Sequence, residues 1–152
     1  MIASSHIFNI KTEQDFHRLA LDIFNFQFEN NPVYRSFCDL LYVHPSNVKA
    51  IEDIPFLPIQ FFKSHEVLVS QRDEQTTFTS SGTTGSATSK HIVTDLEIYK
   101  TSFTKAFEQF YGKIDDYVIL ALLPSYLERK GSSLIYMVDT MIKQSKHPES
   151  GF

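Results

Sequence analysis

Tryptophan is absent from the 152 residues, and cysteine occurs once, at Cys38. A single cysteine excludes an intramolecular disulfide framework and fits a reducing compartment. Charge of one sign is not concentrated either. The formal net charge is -4, and with no basic cluster the chain offers no electrostatic footprint for nucleic acid. Long apolar runs are missing too. The longest, Val118 to Leu123, falls far short of a membrane span. Met1 to Ile10 includes His6 and Asn9 and lacks the charged-then-apolar layout of a signal peptide. A cytoplasmic protein without a membrane span is expected.

What the chain does have is phenylalanine, 14 copies beside 7 tyrosines, placed mostly where a core face would be. The hydrophobic fraction of 42% and charged fraction of 21% suit a globular protein, and the length suits one core. Thr12-Glu13-Gln14-Asp15 has the layout of a capping box, followed by Phe16, Leu19, Ala20, Ile23 and Phe24 at helical spacing. That helix should stop before Pro32. Tyr34 to Tyr42 reads as a second helix burying Phe37, Leu40 and Leu41. Prolines 45, 55 and 58 make the next stretch extended chain and turns, and forbid a central strand at Ile54–Ile59. Glu66 to Val69 is a short strand candidate.

Thr76–Thr79 and His91–Thr94 are both β-prone. About ten residues made almost wholly of Ser, Thr, Gly and Ala join them. A second capping box at Thr94-Asp95-Leu96-Glu97 opens a helix with Leu96, Tyr99, Phe103, Ala106, Phe107 and Phe110 on one face and Gly112 at its stop. Tyr117–Leu123, ended by Pro124, has the continuous apolar character of a strand buried on both faces. Ser132 or Ser133 caps a last helix bearing Leu134, Ile135, Val138, Met141 and Ile142. Strand–helix–strand–helix order over the second half argues α/β, with a mixed, partly parallel sheet and packed helices.

The small-residue stretch carries the chemistry. Ser80-Ser81-Gly82-Thr83-Thr84-Gly85-Ser86 offers what a triphosphate needs. Glycines let backbone amides turn toward an anion, and short hydroxyls add donors without bulk. Lys90 adds a mobile positive charge. A flexible Ser/Thr/Gly linker is the competing reading, although tight flanking by β-prone segments weighs against it. Two rival motifs fail. The common NTPase loop needs Gly, four residues, then Gly-Lys-Ser/Thr; here Gly82 and Gly85 are three apart and Lys90 follows Ser89. The hydrolase elbow needs Gly-x-Ser-x-Gly, and Ser86 directly follows Gly85.

Thr79-Ser80-Ser81-Gly82-Thr83-Thr84-Gly85 resembles the phosphate-loop signature of the adenylate-forming enzymes, the acyl-CoA synthetases and phenylacetate-CoA ligases among them. With Ile54–Ile59, Phe61–His65, Thr88–His91 and Leu122–Arg129 in order, the chain is similar to the acyl-protein synthetase family, the LuxE-type component of bacterial bioluminescence. The resemblance runs from about Ile23 to the end. It implies ATP, Mg²⁺, a fatty or other carboxylic acid, an acyl-adenylate, and transfer to a thiol of a protein or of coenzyme A. It places Ser81, Gly82, Thr83, Thr84 and Gly85 on the triphosphate, with Ser80 and Lys90 beside them. The family's acyl-accepting cysteine comes later in its chain, so Cys38 does not match it.

Other residues stay open between two readings. Lys63, Ser64 and His65 are either site residues or ordinary surface and strand-edge positions. Ser125, Tyr126 and Arg129 follow the apolar run, where open parallel sheets bind ligands, and would line a substrate pocket; an ordinary loop with a Glu128–Arg129 pair explains them equally. The resemblance also implies that residues 1–152 are a single partial domain, the N-terminal portion of a longer adenylation domain. Alone they are expected to hold half an ATP site without catalysing adenylation, and to self-associate. A non-catalytic nucleotide- or partner-binding remnant is the competing class.

Overall fold

The computed structural model describes residues 4–69, 73–80, 88–123 and 131–152, which fall into two compact units, Met1–Asp73 and Glu74–Phe152. The first unit is helical. A short turn, α1 (Ser4–Ile7), precedes the long helix α2 (Glu13–Asn30) and then α3 (Pro32–Leu40). The Thr12 hydroxyl accepts the Asp15 amide at 3.1 Å, and the Asp15 carboxylate accepts the Thr12 amide at 3.2 Å, so both ends of the expected capping box are made. Hydrogen bonds to its charged form, from the Thr12 side chain first and then from the Lys11 and Thr12 amides, hold the Asp15 carboxyl below its ordinary value.

Asn31 alone separates α2 from α3 and serves both. Its amide donates to the Gln27 carbonyl at 2.9 Å to finish one helix, and its side-chain oxygen accepts the Tyr34 amide at 3.2 Å to start the next. The side-chain nitrogen reaches Gln27 Oε1 at 3.1 Å, which lets a polar residue be buried without an unsatisfied group. Pro32 follows at the first helical position, where a missing N–H costs nothing.

Phe24, Phe28, Tyr34, Cys38 and Val48 form the core of this unit. The Phe24 and Tyr34 rings meet edge to face at 6.2 Å. The Tyr34 hydroxyl donates to the Pro55 carbonyl at 2.8 Å and ties the proline-rich stretch to the helices. The buried stripe of α3 is therefore Tyr34 and Cys38 with Phe37 beside them, and the expected burial of Leu40 and Leu41 is wrong: both are exposed. Leu40 stands six residues past Tyr34, about 240° round the helix. Leu41 lies at its end, where Tyr42 turns the chain with φ 57°. Beyond a 3-10 turn at Ile51–Asp53 the chain forms one more helical turn, α4 (Phe61–Ser64). The strand expected at Glu66–Val69 does not form; these residues carry no regular secondary structure.

The second unit opens with β1 (Thr76–Thr79) and β2 (Lys90–Val93), which pair antiparallel with Thr79 opposite Lys90 and Phe78 opposite His91. Helix α5 (Leu96–Tyr111) is capped by Asp95, whose side chain accepts the Glu97 amide at 3.1 Å, and not by Thr94 as the head of the expected capping box. Gln75 Oε1 takes the Leu96 amide at 2.7 Å, so another of the helix's free donors is satisfied from the sheet side. Gly112 ends α5 with φ 89°, the positive value glycine allows. Ser132 caps α6 (Ser133–Gln144).

Phe103, Ile114 and Met141 make the second core, with Tyr99, Phe107 and Tyr136 against them. Phe78 joins the sheet to this cluster, its ring 5.2 Å from Tyr99 and 5.7 Å from Tyr136. Tyr99, Phe103 and Phe107 follow the expected stripe of α5, but Ala106 and Phe110 are exposed. Phe110 shares the stripe's direction. Periodicity sets where a side chain points, not whether anything lies opposite.

The apolar run 117–123 also departs from expectation. It is not buried on both faces. One edge is held by Gly151, through Ala121 N–H to Gly151 O at 2.8 Å and Gly151 N–H to Ile119 O at 2.9 Å. Ile119 packs inward, while Leu120 and Leu122 are 76% and 102% exposed. From residue 119 to 123 covered and exposed residues alternate, as in a strand with one covered face, while Tyr117 and Val118 are both exposed. Among the described residues, the bridge of Leu120 to Gly151 is parallel and the β1–β2 ladder antiparallel. Helices with a small two-stranded sheet are compatible with the α/β expectation.

Candidate functional site

The connection between β1 and β2 is rooted at two serines. The Ser80 amide donates to the Ser89 carbonyl at 3.1 Å, and the Ser89 amide donates to the Ser80 hydroxyl at 3.0 Å. The ladder thus continues one pair beyond the strands, and Ser80 Oγ, held as an acceptor, keeps its own proton to donate. Ser81, Gly82, Thr83, Thr84 and Gly85 lie outside the described residues, as do Ser125, Tyr126 and Arg129.

A cavity of about 650 Å³ opens at this root, its lining including Ser80, Ser89, Tyr99, Ser102 and Ser133. Its wall includes His91, Ile92 and Asp95. The Tyr99 hydroxyl donates to the Ser133 carbonyl at 3.0 Å, and burial raises its pKa, which keeps it a neutral donor. Hydroxyls of Ser80, Ser89, Ser102 and Ser133 mixed with the apolar groups of Phe78, Ile92, Ile98 and Tyr99 suit a ligand that has both polar and less polar parts.

Lys90 is the first residue of β2 and is exposed. Paired with Thr79, it leaves the sheet on the face opposite to Phe78 and His91, because neighbouring strand residues alternate. Sequence patterning did not single out His91, Asp95, Tyr99, Ser102 or Ser133 as site residues. The available signal was period two in β2, which sets His91 on the Phe78 face and so over the cavity.

Gly131 stands on the edge of β1 away from β2. Its carbonyl accepts the Thr79 amide at 2.8 Å, and its φ is 84°. A methyl group there would meet Thr79 Oγ1 at 3.3 Å and the Thr77 carbonyl oxygen at 3.7 Å.

In the first unit, α4 ends in Lys63 and Ser64, with His65 after it. Ser64 Oγ lies 2.8 Å from His65 Nδ1, and the imidazole stacks on Phe61 at 5.0 Å. Cys38 is fully buried, and burial pushes its thiol pKa up. Among the described residues no three His, Cys, Asp or Glu side chains come together to hold a metal ion. No helix among them is long and apolar enough to cross a membrane.

Known proteins resemble this chain in sequence. The family model described as acyl-protein synthetase, LuxE, matches residues 1–120. A long-chain-fatty-acid–luciferin-component ligase of Vibrio harveyi is 39% identical over 69 residues, 45% of this chain and 18% of that protein. A ligase of the same name from Photorhabdus luminescens is 38% identical over 69 residues, 45% of this chain and 59% of the relative. The chain thus covers less than two thirds of either relative. No solved structure matches it. With 120 of its 152 residues inside the family model, the chain belongs to the acyl-protein synthetase (LuxE) family.

Proposed function

We propose that this chain supplies the phosphate-holding part of an ATP-dependent ligase that activates a long-chain fatty acid and passes the acyl group to a thiol. The observation that carries this reading is the Ser/Thr/Gly connection rooted at Ser80 and Ser89 beside a cavity of about 650 Å³. Family membership and the relatives' names support the substrate class: long-chain fatty acid and luciferin component are the words in both.

In the first step an acid oxygen forms a bond to the α-phosphorus of ATP as the bond to the pyrophosphate oxygen breaks, leaving acyl-adenylate and pyrophosphate. A thiolate then attacks the acyl carbonyl and AMP departs. Charge builds on phosphate oxygens during the first step, and donors already in place stabilise it without reorganising. Ser80 and the hydroxyls and amides of residues 81–85 are assigned that role, with Lys90 as a mobile cation near the root. Mg²⁺, which keeps several waters and binds mainly through substrate phosphates, would supply neutralisation of the phosphate charge when bound with the nucleotide. The acceptor thiol is not Cys38, which is fully buried.

Titration calorimetry with MgATP on the purified chain tests the phosphate site. Saturable one-to-one binding, weakened by replacement of Thr83 and Thr84 with valine, is expected. Heat no greater than that of MgCl₂ alone would remove the reading. Acid-dependent exchange of labelled pyrophosphate into ATP reports the adenylation step separately.

A further inference from the structure

We infer that Gly131 is a positioning residue for the phosphate-holding connection: its carbonyl clasps Thr79 on the outer edge of β1 and so sets where the chain leaves the sheet. Two observations at the end of β1 carry this. The Gly131 carbonyl accepts the Thr79 amide at 2.8 Å. The next residue, Ser80, is bonded on the opposite edge to Ser89 through two hydrogen bonds, at 3.1 and 3.0 Å. Consecutive strand residues direct their amides to opposite edges, so the root of the connection is held from both sides.

The position also demands glycine. A φ of 84° strains any residue with a Cβ, and a Cβ would press Thr79 Oγ1 at 3.3 Å, tighter than ordinary contact. The Thr79 hydroxyl can turn aside, but relief of the φ strain rotates the Gly131 backbone and with it the carbonyl that holds Thr79. Without the outer bond the ladder's last pair frays, as the ends of strands do, and Ser80 Oγ loses its fixed place at the mouth of the cavity. Gly131 lies beyond residues 1–120, the segment matched to the family. Its effect on nucleotide rests on the reading that residues 80–89 hold a triphosphate; its effect on the root does not.

Amide hydrogen exchange followed by NMR separates the two, with Gly112 as control. Gly112 also has positive φ, at 89°, but open space around it and no contact with β1. In Gly131→Ala the Thr79, Ser80 and Ser89 amides should exchange about tenfold faster, the scale of one lost hydrogen bond, with α5 unchanged. MgATP dissociation constants should rise by a similar factor, while Gly112→Ala leaves both readouts at parental values. If Gly131→Ala does not fold, Gly131→Asn with Thr79→Ala takes its place, since asparagine tolerates positive φ and alanine removes the crowded hydroxyl; it should retain most of the protection. Parental exchange in Gly131→Ala, or equal opening in Gly112→Ala, overturns the clasp. Faster exchange in a protein whose parent binds no MgATP upholds the clasp and rejects the nucleotide reading alone.

Discussion

Ser80 and Ser89 exchange two hydrogen bonds, amide to carbonyl at 3.1 Å and amide to hydroxyl at 3.0 Å, and so shut the base of a connection that would otherwise start at Thr79 and Lys90. The second of these bonds needs a side chain. Ser80→Ala removes the acceptor and leaves the Ser89 amide to water. Because the site is exposed, a loss of about 0.5–1 kcal/mol in unfolding free energy is expected, with faster exchange confined to residues near the root. Weaker MgATP binding should accompany it. An unchanged Ser89 exchange rate would show that the hydroxyl does not hold the root.

Tyr34 tests the first unit. Its hydroxyl is the tie between α3 and the Pro55 carbonyl. Tyr34→Phe keeps the ring in the core and orphans that carbonyl, so urea unfolding should lose about 1–2 kcal/mol. Burial raises the phenol's pKa. The folded protein therefore favours the neutral form, and this contribution is present at neutral pH and lost as pH rises past the unfolded value.

Cys38 should resist thiol reagents. It is fully buried with a raised pKa, and the thiolate is the reactive form. In native protein a chromogenic disulfide reagent is expected to react only as fast as the unit opens, and at once in denaturant. Acyl label recovered on Cys38 after incubation with fatty acid and ATP would contradict both this and the proposed route.

The second core should be sensitive at Phe103, which lies between Tyr99 and the Ile114–Met141 pair. Phe103→Ala is expected to cost about 3–5 kcal/mol. Phe103→Leu keeps much of the volume and should cost less than half as much. Equal losses for the two would mean that edge-to-face contact with Tyr99, rather than volume, dominates.

Acid should weaken the first unit through Asp15 and Asp53. Both carboxyls sit below their ordinary value, Asp15 chiefly through the Thr12 hydrogen bond and Asp53 through the Lys49 and Ala50 amides. A depressed folded pKa means stability present above the unfolded value of 3.8 and lost as pH falls below it. Thermal midpoints measured from pH 6 to pH 2 should drop in that window, and Asp15→Asn with Asp53→Asn should flatten the fall.

Helix boundaries were legible because they depend on local chemistry. Thr12, Ser132 and Gly112 cap or stop helices whichever way the chain later folds, since free amides and a positive φ are satisfied within a few residues, whereas at α5 the cap fell on Asp95, one residue past the expected Thr94. The strand–connection–strand pattern around residues 80–89 was legible for the same reason, as β-prone segments flank residues that favour turns. Burial was not local. Leu40 and Leu41 are as apolar as the residues that went inside, but Leu40 stands on the far side of α3 from Tyr34 and Leu41 lies at the helix's end, where nothing covers them. Apolarity in 117–123 marked an extended segment but not the number of its covered faces, which depended on α6 and Gly151 arriving from later in the chain. Tyr99 and Ser133 became neighbours of the root only because α5 and α6 pack on the β1–β2 pair. Composition thus set the chemistry of the connection. Tertiary contacts chose the groups that face it, because a side chain's surroundings come from residues distant in sequence.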